Sequence, residues 1–269
     1  MVTRLDDALA RARAEGRAAL VGYLPAGYPS VGAAVTALTA MVEAGVDVVE
    51  VGLPYSDPLM DGPTIQAAVE ASLAAGTTTA DVMDTVREVA RTGAAVLVMS
   101  YWNPIERYGV RRFADDVAAA GGSGVITPDL TPDEAGPWLA ATDQAGLDRI
   151  FLVAPSSTDA RLRYTADHCR GFVYAASTMG ITGARATVGG GAERLVARTR
   201  AVTDLPVCVG LGVSSGAQAA EVAAFADGVI VGSAFVRLLL DAPDPGAGCK
   251  AVAALAAELA DGVRVPRLR

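Results

Sequence analysis

Eight short apolar segments recur along the chain, each followed by a longer stretch in which apolar residues have helical spacing. The short segments are rich in valine, isoleucine and leucine, and polar or turn-forming residues bound them. They are AALVGYL (18–24), VDVVEVG (46–52), AAVLVMS (94–100), SGVIT (123–127), RIFLV (149–153), GFVYAA (171–176), LPVCVG (205–210) and DGVIVG (227–232). Strands that are apolar throughout are typical of parallel sheets covered on both faces, so the pattern predicts strands joined by helical crossovers.

Eight strand–helix units in 269 residues, with no linker or break in composition, predict one (β/α)8 barrel domain, a TIM barrel spanning residues 1–269. A doubly wound open sheet is the alternative, but the count of eight favours closure. We expect extra helices at the N-terminus, before strand one, and after strand two, where IQAAVEASLAAG lies. The active site of such a barrel forms at the carboxyl ends of its strands.

Composition narrows the class of protein. The net charge is −8 and no basic cluster follows a helix face, which gives a nucleic-acid role little support. No window has the roughly 18 apolar residues of a membrane span, and the first 20 residues lack the apolar centre of a signal peptide. The three cysteines are far apart and odd in number, which is typical of reduced thiols. We therefore expect a cytoplasmic protein.

The single histidine limits the available chemistry. His168 lies in RYTADHCRG, at the polar end of a predicted helix, where a solvated surface position is expected. A catalytic triad or an imidazole-based metal site would need this residue. Acid–base chemistry must therefore come mostly from carboxylates or tyrosines, and we expect no metal site.

Two acidic residues in VVEVGLPYSDPLMDGPTIQ (48–66) break the local pattern. Glu50 lies within an apolar strand, where a carboxylate is costly unless it is hydrogen-bonded or acts as an acid or base. A buried ion pair is the alternative, although no lysine or arginine occurs from 18 to 86. Asp61 precedes Gly-Pro, which suits a turn or helix cap, or the second member of a carboxylate pair. Asp57 is a turn residue or a contact point.

Glycines after the last three strands give a second signal. Gly210 and Gly212 follow strand seven, and Gly232 follows strand eight directly before a helix that begins at Ser233. Loops after strands seven and eight, with free helix N-termini, are the usual phosphate site of this fold. The glycine-rich segment STMGITGARATVGGGAERL (177–195) after strand six suits a mobile lid or, alternatively, a plain surface loop.

Together these motifs resemble the tryptophan synthase α-subunit family. The resemblance rests on VEVGLPYSDPLMDGPTIQ, LPAGYP (24–29), YWNP (101–104), MGITG (179–183), GLGVSS (210–215) and IVGSA (230–234), in order along the whole chain. It implies a barrel that cleaves indole-3-glycerol phosphate to indole and glyceraldehyde 3-phosphate without a cofactor. Glu50 would be the essential acid–base group and Asp61 its partner.

The resemblance also implies roles for further residues and a partner protein. Tyr23, Tyr101, Leu152, Tyr174 and Ile230 would line the substrate pocket, Thr182 would bond to Asp61 on lid closure, and Gly183, Gly212, Gly232 and Ser233 would hold the phosphate. The partner would be a PLP-dependent β subunit in an α2β2 heterotetramer, contacted by Asp57, Pro58 and Asn103.

Some positions depart from the family pattern. Tyr23 and Leu211 stand where phenylalanine is frequent, which alters the pocket slightly, and Thr131 stands where proline is common. Three alternatives remain. A stand-alone lyase would run the same chemistry without a β subunit. The intact Glu50 and Asp61 argue against an inactive regulatory subunit. A sugar-phosphate epimerase would resemble histidine-rich metal enzymes, and this chain has one histidine.

Overall fold

The structure, a computed structural model, describes residues 2–176 and 190–264. In this part of the chain nine parallel strands form one sheet in the order β5-β4-β3-β2-β1-β9-β8-β7-β6. The strands are β1 (Ala19–Pro25), β2 (Val48–Gly52), β3 (Ala95–Met99), β4 (Gly124–Ile126), β5 (Asp148–Ile150), β6 (Leu152–Val153), β7 (Val173–Ala176), β8 (Val207–Gly210) and β9 (Gly228–Val231).

The sheet closes into a barrel through its fifth strand. β5 pairs with β4 and β6 pairs with β7, and only Phe151 separates the two halves along the chain. Backbone hydrogen bonding continues across this residue, because the carbonyl of Phe151 accepts from the amide of Tyr174 at 3.2 Å. The predicted barrel of eight strands is confirmed. The fifth predicted strand, RIFLV (149–153), is divided into β5 and β6, because its first half pairs with β4 and its second half with β7.

Twelve helices surround the sheet in the described residues. They are α1 (Arg4–Ala14), α2 (Val31–Glu43), α3 (Pro63–Ala74), α4 (Thr79–Ala90), α5 (Trp102–Tyr108), α6 (Val110–Ala119), α7 (Gly136–Ala145), α8 (Asp159–His168), α9 (Gly190–Arg200), α10 (Gly216–Ala223), α11 (Ser233–Asp241) and α12 (Pro245–Gly262). The extra helices expected at the N-terminus and after strand two are α1 and α3. The short helix α5 was not expected, and Gly109 at φ 103° separates it from α6. No helix among these residues is long and apolar enough to cross a membrane.

The interior of the barrel is closed at the amino ends of the strands. A capping box between Thr3 and Asp6 starts α1, whose buried face meets strand residues that point into the barrel. This inner core comprises Leu5, Ala8, Leu9, Ala12, Ala19, Val21, Val48, Ala95, Leu97, Ile126, Ile150, Phe172, Cys208 and Ile230. A larger apolar core lies between the sheet and the outer helices. A site inside the barrel with access to solvent must therefore lie at the carboxyl ends.

Strand register places the acidic residue of β2 inside the barrel. Val21 of β1 pairs with Val48 of β2, and both belong to the inner core. Since side chains alternate along a strand, Tyr23 and its partner Glu50 point inward two residues nearer the open end.

Candidate active site

A cavity of about 270 Å³ opens at the carboxyl ends of the strands. It brings together residues from six strands and from the segments that follow β2, β8 and β9. Its lining comprises Tyr23, Glu50, Asp61, Gly62, Ile65, Met99, Tyr174, Gly210, Leu211, Gly212, Ile230, Gly232 and Ser233. Two predicted carboxylates and three of the predicted phosphate-binding residues thus share one cavity.

Glu50 is 1% exposed, and its Oε1 has no hydrogen-bond partner among the described residues. Burial disfavours the charged form and raises the pKa of this carboxyl to about 8. The group is therefore protonated at neutral pH and can donate a proton to a ligand in the cavity. Arg17, the cation nearest in sequence, binds Asp47 through two hydrogen bonds of 2.6 and 2.8 Å, so it is not a counter-ion for Glu50.

Asp61 is held by two neighbouring side chains. Its Oδ1 accepts a 3.0 Å hydrogen bond from the hydroxyl of Tyr101, which in turn accepts from the backbone amide of Met60 at 3.0 Å. The carbonyl of Asp61 accepts from Nε2 of Gln66 at 2.6 Å. Partial burial raises the pKa of Asp61, and the bond from Tyr101 opposes that rise. The carboxylate is thus fixed in direction while one oxygen stays available to a ligand.

The loop that carries Asp61 runs into an uncapped helix. Gly62 is the N-cap of α3 and offers no side chain to the first backbone amides, and Pro63 begins the helix. Proline suits this position because its fixed φ matches the helix and its missing N–H would have no partner. Asp61 therefore sits between a strand end and a rigid helix start.

The opposite wall of the cavity offers backbone amides. Gly232 is the N-cap of α11 without a side-chain cap, and Ser233 is its first residue. Both line the cavity, and the first N–H groups of the helix have no side-chain cap among the described residues. Gly212 has φ +68° and nothing within 4 Å of where a Cβ would stand. Free amides at a helix N-terminus with an open glycine turn bind anions.

The other sequence-predicted pocket residues divide into three groups. Tyr23, Tyr174 and Ile230 line the cavity. Tyr101 reaches the site through its bond to Asp61, and Leu152 lines a neighbouring cavity of about 280 Å³ with Met60 and Pro128. Thr182 and Gly183 lie outside the described residues, as does the rest of 177–189 in the predicted lid (177–195). The end of that predicted segment, from Gly190 onward, belongs to α9.

The residues predicted for a protein contact lie near the open end of the barrel. Asp57 is exposed and accepts from the hydroxyl of Ser56 at 2.6 Å, and Pro58 beside it is half-buried. Asn103 is exposed and donates to the hydroxyl of Tyr55 at 2.8 Å. The loops after β2 and β3 are therefore linked on the surface beside the cavity.

Three residues of the cavity wall, Gly62, Ile65 and Met99, were missed by the sequence reasoning. Met99 ends β3 and Ile65 lies in the first turn of α3. Met99 could have been found, because the inward alternation of β3 continues from Leu97 to this position. Ile65 carries no such signal, since its orientation depends on how α3 packs.

A larger cavity of about 460 Å³ lies at the amino ends of the strands. Two of its arginines have acidic partners, because Arg17 binds Asp47 and Arg200 lies 2.8 Å from Asp227. The buried carboxyl of Glu50, with its raised pKa, is at the other end, and that end is the better candidate for chemistry.

Comparison with known proteins identifies the family of the chain. The family model for the tryptophan synthase alpha chain matches residues 9–264. The alpha chain of Thermobifida fusca is 64% identical over 266 residues, covering 98% of each chain. That of Streptomyces coelicolor is 60% identical over 264 residues, covering 98% of this chain and 97% of the relative.

Solved structures show the same likeness. A chain of Mycobacterium tuberculosis tryptophan synthase superposes with a TM-score of 0.92 at 56% identity, covering 98% of this chain and all of that one. Tryptophan synthase subunit alpha from Legionella pneumophila gives a TM-score of 0.89 at 33% identity, with 98% and 99% coverage. The chain therefore belongs to the tryptophan synthase alpha chain family, the carbon–carbon lyases that cleave indole-3-glycerol phosphate in tryptophan biosynthesis.

Proposed function

We propose that Glu50 is the proton donor and acceptor for cleavage of indole-3-glycerol phosphate and that Asp61 binds the indole N–H. The observation that supports this most directly is the state of Glu50. It is a buried carboxyl whose Oε1 has no hydrogen-bond partner among the described residues, with its pKa raised to about 8, in the wall of a cavity at the carboxyl ends of the strands. General acids at neutral pH are commonly tuned in this way.

The first chemical step needs an acid. Protonation of indole C3 by Glu50 gives a cationic indolenine, and only then can the bond between C3 and C3′ of the glycerol chain break. The electrons of that bond return to the ring and restore the aromatic indole. The C3′ hydroxyl loses its proton as the aldehyde forms, and the Glu50 carboxylate accepts it. Glu50 thus gives one proton and takes one back, so the chain needs no cofactor for this step.

Asp61 supports the charge that develops on the ring. Protonation at C3 places positive charge on the indole nitrogen, and a carboxylate that accepts its N–H hydrogen bond stabilises the cation. The bond from Tyr101 keeps Asp61 oriented before substrate arrives. An oriented charge lowers the barrier more than a mobile one, because no reorganisation is needed during the reaction.

The phosphate is held at the other wall. The free amides at Gly232 and Ser233 and the open turn at Gly212 supply donors without a cationic side chain. This arrangement explains how an acidic protein holds a dianion: local backbone groups do so despite the net charge of −8. Tyr23, Tyr174 and Ile230 enclose the part of the substrate between the two ends. The family resemblance assigns Gly183 to the phosphate and Thr182 to Asp61.

The chain works as one barrel domain in the cytoplasm and associates with a PLP-dependent β subunit as an α2β2 heterotetramer. The M. tuberculosis relative is a tryptophan synthase. The surface formed by Asp57, Pro58 and Asn103 lies beside the cavity, so a protein docked there would also order the loop that carries Asp61. Indole is small and apolar, and direct transfer to a docked partner would prevent its loss.

Indole release from indole-3-glycerol phosphate, measured with and without the β subunit, tests this function. We expect slow release by the isolated chain and faster release in the complex. The stand-alone lyase predicts full release by the isolated chain with no change on adding the β subunit. Absence of release under both conditions would contradict both functions.

A further inference from the structure

Tyr23 occupies a special place in the cavity wall. It lies on β1 directly opposite Glu50 of β2, points into the barrel, and is 7% exposed. The exposed part lines the cavity. Tyr23 therefore lies next to the proposed acid–base residue in the wall of the cavity.

Two glycines, one at the end of β2 and one directly after β9, make room for the Tyr23 ring. A Cβ on Gly52 would collide with the hydroxyl and the adjoining ring atoms, and a Cβ on Gly232 would stand 3.2 Å from Cδ1. Gly52 follows Glu50 by two residues, which places the hydroxyl about 7 Å nearer the mouth than the level of Glu50. The ring thus extends from Gly232, at the start of α11, to Gly52, on the side of the cavity mouth above Glu50.

The hydroxyl of Tyr23 has no hydrogen-bond partner in the described part of the chain, whereas that of Tyr101 bonds to Asp61 and Met60. Burial raises the pKa of Tyr23 well above its usual value, and the carboxyls of Asp61 and Glu50 act in the same direction. The group therefore stays protonated and can donate to and accept from a ligand. A site with such a hydroxyl binds more tightly a ligand that forms a hydrogen bond with it than a ligand that leaves it without a partner.

The substrate fixes what lies next to this hydroxyl. Its chain runs from indole C3 through C3′ and C2′, each bearing a hydroxyl, to C1′ and the phosphate. The reacting C3′ hydroxyl must approach Glu50, and the phosphate must reach Gly232 and Ser233. The C2′ hydroxyl lies between these two points, on the side nearer the phosphate. We infer that the hydroxyl of Tyr23 binds the C2′ hydroxyl of the substrate and makes the site selective for a hydroxylated chain.

This inference rests on the proposed roles of Glu50 and the phosphate turn, and the experiment separates the two. Binding is measured in the Glu50→Gln background, where no cleavage should interfere. Affinities for indole-3-glycerol phosphate and for indole-3-propanol phosphate, which lacks both chain hydroxyls, are compared with and without Tyr23→Phe. Tyr164→Phe on the exposed side of α8 is the matched control. Steady-state kinetics of Tyr23→Phe alone give the effects on kcat and KM.

One neutral hydrogen bond predicts a three- to tenfold loss of affinity for the glycerol phosphate, with less than about twofold change for the propanol phosphate. In the active enzyme KM should rise by a similar factor at nearly constant kcat, because the C2′ hydroxyl is bound equally in ground and transition states.

Equal losses of affinity for both ligands, or no loss, would overturn the inference. A lower kcat at constant KM would also overturn it, since Tyr23 would then touch the reacting hydroxyl. If Glu50→Gln still cleaves substrate, the proposed function fails and the inference with it. If Glu50→Gln is inactive and Tyr23→Phe shows one of the overturning results, only the inference fails.

Discussion

The hydroxyl of Tyr101 bridges the loop after β2 and the carboxylate that the loop carries: it donates to Oδ1 of Asp61 and accepts from the amide of Met60, both at 3.0 Å. Leu59 and Met60, the two residues before Asp61, are exposed. The hydrogen bond from Tyr101 is therefore the main side-chain contact that holds the Asp61 carboxylate among the described residues. The direction of the Asp61 carboxylate is therefore set from β3, a different strand unit.

Tyr101→Phe should lower kcat/KM by about tenfold, because a hydrogen bond to a carboxylate is worth roughly 1.5–3 kcal/mol and part of it orients Asp61. The pKa of Asp61 should rise further, since the bond that lowers it is lost. Steady-state kinetics of indole release check this, with Tyr164→Phe as the control. An unchanged kcat/KM would show that Asp61 is oriented without Tyr101.

The pH dependence of cleavage should follow the protonation of Glu50. Its pKa in the folded chain is raised to about 8, so the acid form prevails below that pH and is lost above it. The value of kcat/KM should therefore fall above about pH 8, approaching tenfold per pH unit, because this parameter reports the free enzyme. Measurements from pH 7 to 10 avoid the phosphate titration near 6. A flat profile to pH 9.5 would contradict an acid role for Glu50 in the free enzyme.

The fold could be predicted from the sequence in most respects because parallel barrel strands leave a strong local signal. Glu50 stood out for the same reason: a carboxylate in a strand with no nearby cation conflicts with its surroundings. Long-range relations left no such signal. The bond between Tyr101 and Asp61 joins residues 40 positions apart. The division of strand five at Phe151 depends on which neighbour each half pairs with.

The family resemblance also has limits. It assigned Leu152 to the substrate pocket, and this side chain does pack against the inner core, but it lines the neighbouring cavity together with Met60. Gly212 illustrates a different gap. Its sequence context predicted a phosphate turn, whereas its φ of +68° could not be read from the residue type alone.

A test of the phosphate site is Gly212→Val. The new side chain enters a position that lines the cavity, so KM should rise at least about tenfold if it displaces the anion from the free amides. The positive φ will also cost stability, since a β-branched residue is strained there. Gly76→Val, at φ +85° in open space outside the cavity lining, carries the same strain and should leave KM unchanged. Equal KM in both variants would place the phosphate elsewhere.

The partner surface can be tested through stimulation by the β subunit. Docking beside the loop that carries Asp61 should raise indole release at least about tenfold, a coupling of roughly 1.4 kcal/mol between the two subunits. Asp57→Ala should reduce this stimulation while leaving the basal rate of the isolated chain intact, because Asp57 is exposed and outside the cavity lining. Asp167→Ala, exposed in the last turn of α8, should keep full stimulation. Stimulation reduced equally by both variants, or by neither, would argue against this surface.

The most direct test of the central claim, that Glu50 transfers the proton, is the turnover of Glu50→Gln. Glutamine keeps the shape of the protonated carboxyl but cannot give up a proton, so cleavage should fall by about three decades or more. Phosphate affinity should be retained, and Glu43→Gln on the exposed end of α2 should be fully active.

Unfolding measurements separate a loss of catalysis from a loss of the folded state. The folded pKa of about 8 lies above the unfolded value of 4.5, so wild-type stability declines between these pH values by up to about 1.4 kcal/mol per unit. The variant lacks that decline and should be at least as stable as the wild type at pH 8. A folded Glu50→Gln enzyme with even a tenth of wild-type turnover would contradict the account.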